Sequence, residues 1–291
     1  MTKPKVLVVY KESAYRRFLS SKQLVQTLKK GNYWNVILGS HARQIDTLAG
    51  VKAALESRGI WAKWVSRDQI RRLNQADQKF DWVVSVGGDG TLLDSSHQVE
   101  KIPILGVNSD PQRSVARFSG CDLESFPRVL DSYLGGGQKP VLVPRLEFFI
   151  NGKRNKWLVL NDLLVTTLSP AGTSRYILRV GARIEEQLSS GLWISSAAGS
   201  TAAILSAGGK AMRVTAPQFQ YVVREAYQKK FGTRRLLKGI RGRGQSLEVV
   251  SRMKEGRIFV DGANLAVPFK LGDRLVVRLS NKPLKVIGLK K

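Results

Sequence analysis

A glycine-rich loop at residues 87–91 carries the clearest chemical signal in the sequence. It reads Gly87-Gly88-Asp89-Gly90-Thr91, after an apolar strand-like run and before a helix-like segment. Glycines lack Cβ atoms, so backbone N–H groups can approach a phosphate closely, and a following helix N-terminus favours its negative charge. The loop matches neither the P-loop pattern nor the Rossmann dinucleotide fingerprint. The sequence therefore predicts a phosphate site of another type.

Asp89 is the unusual member of this loop. A carboxylate beside a phosphate repels the ligand unless it has a task of its own. Two tasks fit, accepting a hydroxyl proton or holding Mg²⁺. The alternative is a tight turn in which Asp89 serves only as a helix N-cap. The residue types alone leave both interpretations open.

The first half of the chain alternates strand-like and helix-like segments. Mostly apolar runs predict buried strands at 6–10, 82–86 and 102–107. Apolar residues at helical spacing predict helices around 24–28, 45–55 and 126–133, and Gly59 can cap the second of these. The alternation predicts a doubly wound, Rossmann-like α/β domain over residues 1–140.

Short alternating strands follow the triple glycine at 135–137. The segments 146–150 and 157–160 flank Asn151-Gly152, a strong hairpin signal, and further strands are predicted at 176–180, 247–250, 257–260 and 274–278. These segments predict an all-β sandwich domain over residues 141–270. The remaining segment, 271–291, is expected to return to the first domain.

Composition limits the class of protein. A chain of 291 residues with 43% hydrophobic content can form two packed cores. Cys121 has no second cysteine to pair with, two histidines offer no metal cluster, and the apolar run at 6–10 is too short for a signal peptide or a membrane span. We therefore expect a cytoplasmic protein that does not enter membranes.

The net charge of +26 limits the classes of molecule that the protein is expected to bind. A strongly basic protein attracts polyanions such as nucleic acid, acidic membrane surfaces, polyphosphate and nucleotides, although a generally basic surface has the same composition. A run at 229–243 contains seven Lys or Arg residues and no carboxylate. Its glycines predict a flexible loop, which is either solvated or a contact for a polyanion.

The loop at 87–91 resembles the signature loop shared by NAD kinases and by diacylglycerol and sphingosine kinases. Downstream motifs separate these groups. They are Asn161-Asp162, Ser189-Ser190-Gly191-Leu192, the stretch Ala197–Ala203, and Ser206-Ala207-Gly208-Gly209. In order and spacing they resemble NAD kinases, above all plant-type NADH kinases and their mitochondrial relatives, which also carry a loop like Gly106–Pro111. The similarity extends from Leu7 to Ile287.

This resemblance implies a kinase that transfers the γ-phosphoryl group of ATP to the 2′-hydroxyl of NAD or NADH. Asp89 would be the general base. Contacts to ATP phosphates are implied for Gly87, Gly88, Gly90 and Thr91, and contacts to the dinucleotide for Asn108, Asn161, Asp162, Ala197, Ala198, Gly199, Ser200 and Thr201. Mg²⁺ would arrive with ATP and be held through phosphates, with Asp89 as the one candidate side chain. A homodimer or larger homo-oligomer is also implied.

The sequence departs from the family pattern at several positions. Most bacterial members have a tyrosine where Ala203 stands and an Asn-Glu pair in place of Asn161-Asp162. Plant-type NADH kinases and their mitochondrial relatives usually have a Gly-His-Leu run after the loop Gly106–Pro111, and this chain has other residues there. Among them, Arg117 adds a cation close to where the nucleotide phosphates are expected. The preference between NAD and NADH, and between ATP and polyphosphate, stays open.

Two other functions are alternatives. A lipid kinase would need an apolar substrate channel, and the motifs Asn161-Asp162 and Gly199-Ser200-Thr201 disfavour it. A basic nucleic-acid-binding protein on an inactive kinase scaffold would be expected to lack Asp89, which is present.

Overall fold

The computed structural model describes residues 4–31, 33–70, 73, 79–227 and 235–289. It divides into two compact units, a first unit of residues 1–141 with 284–290 and a second unit of residues 142–283. Within the described residues, no helix is long and apolar enough to cross a membrane.

The first unit alternates strands and helices as its hydrophobic pattern predicts. Its strands are β1 (Lys5–Tyr10), β2 (Trp61–Ser66), β3 (Trp82–Gly87), β4 (Ile104–Asn108), β5 (Cys121–Asp122) and β6 (Val141–Val143). Its helices are α1 (Ala14–Phe18), α2 (Lys22–Lys29), α3 (Tyr33–Glu56), α4 (Arg67–Ile70), α5 (Asp89–Ser96) and α6 (Phe126–Leu134). Gly59 has φ +64°, as expected for a glycine just beyond the end of a helix.

The second unit consists mainly of strands. They are β7 (Leu146–Ile150), β8 (Lys153–Arg154), β9 (Asp162–Thr167), β10 (Ser174–Val180), β11 (Arg183–Ser189), β12 (Gly191–Ser196), β13 (Gln218–Arg224), β14 (Lys238–Gly242), β15 (Ser246–Ser251), β16 (Gly256–Val260), β17 (Leu265–Phe269) and β18 (Arg274–Leu279). A 3-10 turn (Ala198–Thr201) and helix α7 (Ala203–Ser206) follow β12. The chain then returns to the first unit as β19 (Leu284–Ile287).

Strand order in the first unit locates a ligand crevice. The order is β2-β1-β3-β4-β19-β6, with β5 also paired to β4, and β1 is parallel to both β2 and β3. The chain moves from β1 to β2 on one side and from β3 to β4 on the other, so the order reverses between β1 and β3. In open α/β sheets, ligands bind at the carboxyl ends of the strands beside such a reversal. Lys11 follows β1 there, and the loop 87–91 follows β3.

In each unit, apolar side chains of the strands and helices pack together into a core. In the first, Val6 and Val8 of β1 pack with Val51 and Leu55 of α3 and with Phe126 of α6, so both helices cover one face of the sheet. In the second, two six-stranded sheets, β11-β10-β15-β18-β7-β8 and β14-β13-β12-β9-β16-β17, contribute to a single apolar cluster. The predicted fold class, an α/β domain followed by a β-sandwich, is confirmed.

Three details differ from the sequence-based expectations. The hairpin at Asn151-Gly152 pairs β7 with Lys153–Arg154, and of the predicted partner 157–160 only Val159 forms an isolated bridge, to Leu146. Asn151 and Gly152 have φ of +51° and +79°, the left-handed geometry of a two-residue turn, which pairs the residues directly beside it.

The basic run is the second difference. Residues 238–242, expected in a flexible loop, form β14 and pair with β13, while 228–234 lie outside the described residues. Glycine is required at position 239, since a Cβ there would lie 2.8 Å from the Tyr221 ring.

The C-terminal segment is the third difference. Within 271–291, β18 pairs with β7 and β15 in the sandwich, because its alternating Leu275 and Val277 face that core. Only β19 joins the first unit, in parallel with β4.

Candidate active site

Neighbouring side chains crowd the positions that Cβ atoms would take on the glycines of the loop 87–91. A Cβ on Gly87 would lie 2.5 Å from Thr91 Oγ1, and one on Gly88 would lie 3.1 Å from Ser114 Oγ. Thr91 is buried, so its hydroxyl packs beneath Gly87. The exposed contribution of this loop to a phosphate therefore comes from its backbone.

A cationic side chain flanks the same loop. The guanidinium of Arg67, at the start of α4, would lie 3.2 Å from a Cβ on Gly90, and it forms an ion pair with buried Asp94 of α5. Arg67 was not among the residues predicted from the sequence. Its position directly after the parallel strand β2, at the same edge of the sheet as the loop that follows β3, is the signal that could have identified it.

Asp89 is held by backbone N–H groups of a neighbouring loop. Its two carboxylate oxygens accept hydrogen bonds from the N–H groups of Arg117 and Phe118, each at 3.0 Å. Ala116 has φ +42°, an uncommon conformation for a residue with a side chain, and directs the two following N–H groups. The N-cap of α5 is Gly88, so Asp89 does not have the helix-capping role that was the alternative to a role in chemistry.

Asn108 lies opposite Gly87 at the end of β4. Its Nδ2 donates to Ser114 O at 2.8 Å, and its Oδ1 accepts from the N–H of Asp110 at 3.1 Å. The side chain is buried and shapes the loop 108–114. Asn108 therefore belongs to the first unit with the glycine loop, whereas the other residues predicted to contact the dinucleotide belong to the second unit.

Lys11 and Asp110 add opposite charges near the glycine loop. Ser40 Oγ and Arg43 Nε of α3 donate to Asp110 at 2.6 and 2.7 Å. Burial disfavours the charged Asp110 carboxylate, but these hydrogen bonds outweigh it and lower its pKa. Burial is the main cause that lowers the pKa of Lys11, while Asp110 opposes the shift. Lys11 was also missed, although a lysine directly after the first strand of a doubly wound sheet is a detectable signal.

In the second unit, Asp261 organises the segment before β9. Its carboxylate accepts the N–H groups of Leu160, Asn161 and Asp162 at 2.9, 2.7 and 2.9 Å. Burial, with a further contribution from the charge of Asp261, raises the pKa of Asp162 to about 7. Asp261 has φ +49°. Asp261 was not among the residues predicted from the sequence.

Asn161 presents an unsatisfied acceptor in this segment. Its Oδ1 is buried and has no hydrogen-bond partner among the described residues. Such an atom costs about 1–3 kcal/mol in a folded protein unless a ligand or water donates to it.

The small residues at 197–201 pack directly on Asn161. A Cβ on Gly199 would lie 2.3 Å from the Asn161 carbonyl oxygen, so only glycine fits there. Ser195 Oγ donates to the same carbonyl at 3.1 Å, and Ser200 Oγ accepts from Met212 N–H at 2.8 Å. The structure thus brings together Asn161, Asp162, Ala197, Ala198, Gly199, Ser200 and Thr201, and buries all of them except Asn161 and Thr201, which are partly exposed.

The chain is similar to known proteins in sequence and in fold. Residues 7–136 match the family model of the ATP-NAD kinase N-terminal domain. The chain is 34% identical over 264 residues to a probable NADH kinase of Oryza sativa, covering 83% of this chain and 80% of that protein. It is 32% identical over 258 residues to an NADH kinase of Arabidopsis thaliana, covering 77% and 76%.

A solved structure is similar over nearly the whole chain. It is an NAD kinase from Archaeoglobus fulgidus in complex with ATP, with a TM-score of 0.67, 20% identity, and coverage of 99% of this chain and 94% of that one. At this identity the similarity supports the fold alone.

The raised pKa of Asp162 predicts a pH-dependent stability of the second unit. Between the ordinary pKa of 3.8 and the folded value of about 7, the unfolded chain loses this proton first. Rising pH should therefore lower the free energy of unfolding over that window, by at most about 4 kcal/mol at roughly 1.36 kcal/mol per pH unit, and the effect should level off above pH 7. Asp162→Asn should abolish this dependence and exceed the parent in stability near pH 8.

Urea unfolding followed by circular dichroism across this pH range measures the effect. The exposed Glu255, changed to Gln, provides the control and should keep the parental slope. Parallel pH profiles for the parent and Asp162→Asn would contradict the prediction.

Proposed function

The chain belongs to the NAD kinase family, and from this premise we propose that it transfers the γ-phosphoryl group of ATP to the 2′-hydroxyl of the adenosine ribose of NAD or NADH. The products are NADP or NADPH, and ADP. The observation that carries the proposal is the 34% identity to the rice probable NADH kinase over 80% of that protein. Such relatives favour a nucleotide kinase over the lipid kinase and over the nucleic-acid-binding protein.

The arrangement around Asp89 supports a role as general base. A carboxylate can accept about four hydrogen bonds, and the N–H groups of Arg117 and Phe118 use two of these positions. The remaining acceptor positions of the carboxylate are free to take the proton of the 2′-hydroxyl while the hydroxyl oxygen attacks the γ-phosphorus. The bond from phosphorus to the β–γ bridging oxygen then breaks, and ADP leaves with the electron pair. Two fixed N–H donors orient the base before the substrate arrives.

Magnesium fits this arrangement through the donor's phosphates. Over the described ranges, no three His, Cys, Asp or Glu side chains lie close enough together to hold a metal ion. Mg²⁺ at phosphate-transfer sites is usually held by one or two carboxylates together with substrate phosphates. Asp89 is the carboxylate of the loop that could contribute, and the bound ion would neutralise charge on the phosphoryl group.

The segment before β9 supports dinucleotide recognition. The orphan Asn161 Oδ1 can accept from a ribose hydroxyl, and Asp162 with a pKa of about 7 can donate or accept near neutral pH. The small residues at 197–201 admit a flat base against the backbone. Three further features are proposals from resemblance and composition, namely Mg²⁺, a homo-oligomeric assembly and a cytoplasmic location.

Asn161→Ala or Asp162→Ala should weaken dinucleotide binding by about tenfold and leave ATP binding nearly intact, because ribose hydroxyls lose buried partners. Calorimetry with NADH and with ATP, each alone, measures both affinities. Asn264→Ala, at an exposed position of the same unit, is the matched control. Equal weakening for both ligands would mean that the pair supports the fold.

Asp89→Asn should lower the single-turnover rate of phosphoryl transfer by about 10²–10⁴ while dinucleotide affinity changes much less. Asn cannot take up the proton and can accept only one of the two N–H groups through its single oxygen. Asp68→Asn, at an exposed site in the same unit, should behave like the parent. Recovery at high Mg²⁺ would assign the carboxylate to the metal, and a rate within threefold of the parent would remove Asp89 from catalysis.

NADH should be phosphorylated at least as efficiently as NAD, given the motif-level likeness to NADH kinases around Ala197–Gly209. Purified protein with ATP and Mg²⁺, offered each dinucleotide separately with products resolved by chromatography, tests this and the kinase activity together. A kcat/KM ratio favouring NAD by more than about tenfold, or about 1.4 kcal/mol, would contradict the preference alone. Absence of product from both would overturn the kinase proposal.

A further inference from the structure

A pocket of about 260 Å³ opens beside the carboxyl end of β1. The β1–α1 loop, α3 and β2 line it, with Lys11, Ser13, His41, Gln44, Leu48 and Trp64 among its residues. All of these belong to the first unit. Sites for whole drug-sized ligands occupy about 300–1,000 Å³, so this pocket is suited to one planar ring system of a larger ligand.

Gln44 is the polar group in this pocket that lacks partners. The residue is 2% exposed, and both its Nε2 and its Oε1 are buried without a hydrogen bond in the described part of the chain. Ser13 and His41, by contrast, satisfy each other through a 2.8 Å hydrogen bond, and Tyr15 stacks on His41. A buried primary amide with a free donor and a free acceptor is costly, and a ligand with the complementary pair removes that cost.

The residues that line the pocket indicate which planar ring it binds. An amide side chain forms a bidentate pair with the N6 amino group and N7 of adenine. Trp64 offers an aromatic ring and Leu48 an apolar side chain, as a planar base requires. The pocket therefore combines an adenine-reading amide with apolar walls.

Lys11 connects this pocket with the glycine loop. It lines the pocket, yet its Cδ lies 3.5 Å from the position of a Cβ on Gly87. Its backbone N–H donates to Val86 O, which fixes it against the end of β3. Arg16, at the exposed rim of the pocket, adds a second cation. Anionic groups extending from a base in the pocket would thus pass Lys11 before they reach the loop.

We propose that this pocket binds the adenine of the phosphoryl donor, that Gln44 reads the base, and that Lys11 guides the phosphates to the loop 87–91. The inference rests on the kinase function proposed above. It favours ATP over inorganic polyphosphate as the donor, because a chain of phosphates leaves the Gln44 amide unpaired. The acceptor also contains an adenine, but the residues proposed to bind it lie in the second unit.

Calorimetry with the full-length protein tests the assignment, using ATP, GTP and inorganic triphosphate as separate ligands. The parent should bind ATP about tenfold more tightly than GTP. Gln44→Leu should weaken ATP binding about tenfold and change triphosphate affinity less than twofold. Lys11→Met should weaken both ligands, and Gln26→Leu, at an exposed position on α2, neither. In turnover assays, Gln44→Leu should raise the KM for ATP without changing the KM for NADH.

Three results would overturn the proposal. Unchanged ATP affinity in Gln44→Leu would show that the base lies elsewhere. Equal losses for ATP and triphosphate, with a lowered melting temperature, would give Gln44 a role in the fold. A raised KM for NADH alone would assign the pocket to the acceptor. Because the binding measurements need no turnover, a failure of the kinase activity is detected separately.

Discussion

Backbone N–H groups orient the two carboxylates on which the site depends. Asp89 accepts two such groups and Asp261 accepts three. The Asp89 carboxylate is thus oriented without an opposite charge at the bonding distance, and part of its acceptor capacity is left over. Asp94 and Asp110 differ, since Arg67 and Arg43 form ion pairs with them. In this strongly basic chain, Asp89 is bound by neutral N–H donors and can accept a proton. Asp94 and Asp110 are bound by arginines and hold neighbouring helices and loops together.

The same structure leaves selected polar groups unsatisfied. Asn161 Oδ1 and the amide of Gln44 are buried without partners in the described residues, and Asp162 is buried beside another carboxylate. Each lowers the stability of the free protein, because buried polar and charged groups are stabilised only when paired. The surrounding packing keeps them in place: Gly199 contacts the Asn161 backbone, and apolar clusters lie beneath both segments. Binding of a complementary ligand would remove these costs, which ties affinity to recognition of the ligand's polar groups.

Much of the fold follows from local pattern. The apolar runs of β1 and β3, the helical spacing from Ile45 to Leu55 and the change of pattern after residue 137 indicate the two architectures. The partner of β7 and the strand at 238–242 could not be predicted, because pairing register and the packing of Gly239 on Tyr221 depend on distant residues. The glycine loop was identifiable because its spacing is local. Gln44 and Asp261 were not, since each gains its place only when separate segments meet, whereas Lys11 and Arg67 directly follow strands of the parallel sheet and could have been identified from that position. Asn108 lies beside the loop, but its side chain is hydrogen-bonded within its own backbone turn, and its contact with the dinucleotide stays a prediction.

The charge distribution explains why specificity must come from such buried groups. Of the net charge of +26, residues 142–283 carry +15 and the rest of the chain +11, so both units are basic. ATP and the dinucleotides are all anionic, and a field of this kind raises their encounter rates alike. Because salt screens exposed charges beyond about 8–10 Å, the field adds little discrimination once a ligand is bound. Discrimination between a base-bearing donor and bare phosphate, or between one ribose hydroxyl and another, requires directional hydrogen bonds in places that exclude water. Gln44 and Asn161 have that character, and their burial among apolar and small residues gives a single hydrogen bond enough weight to decide between ligands of similar charge.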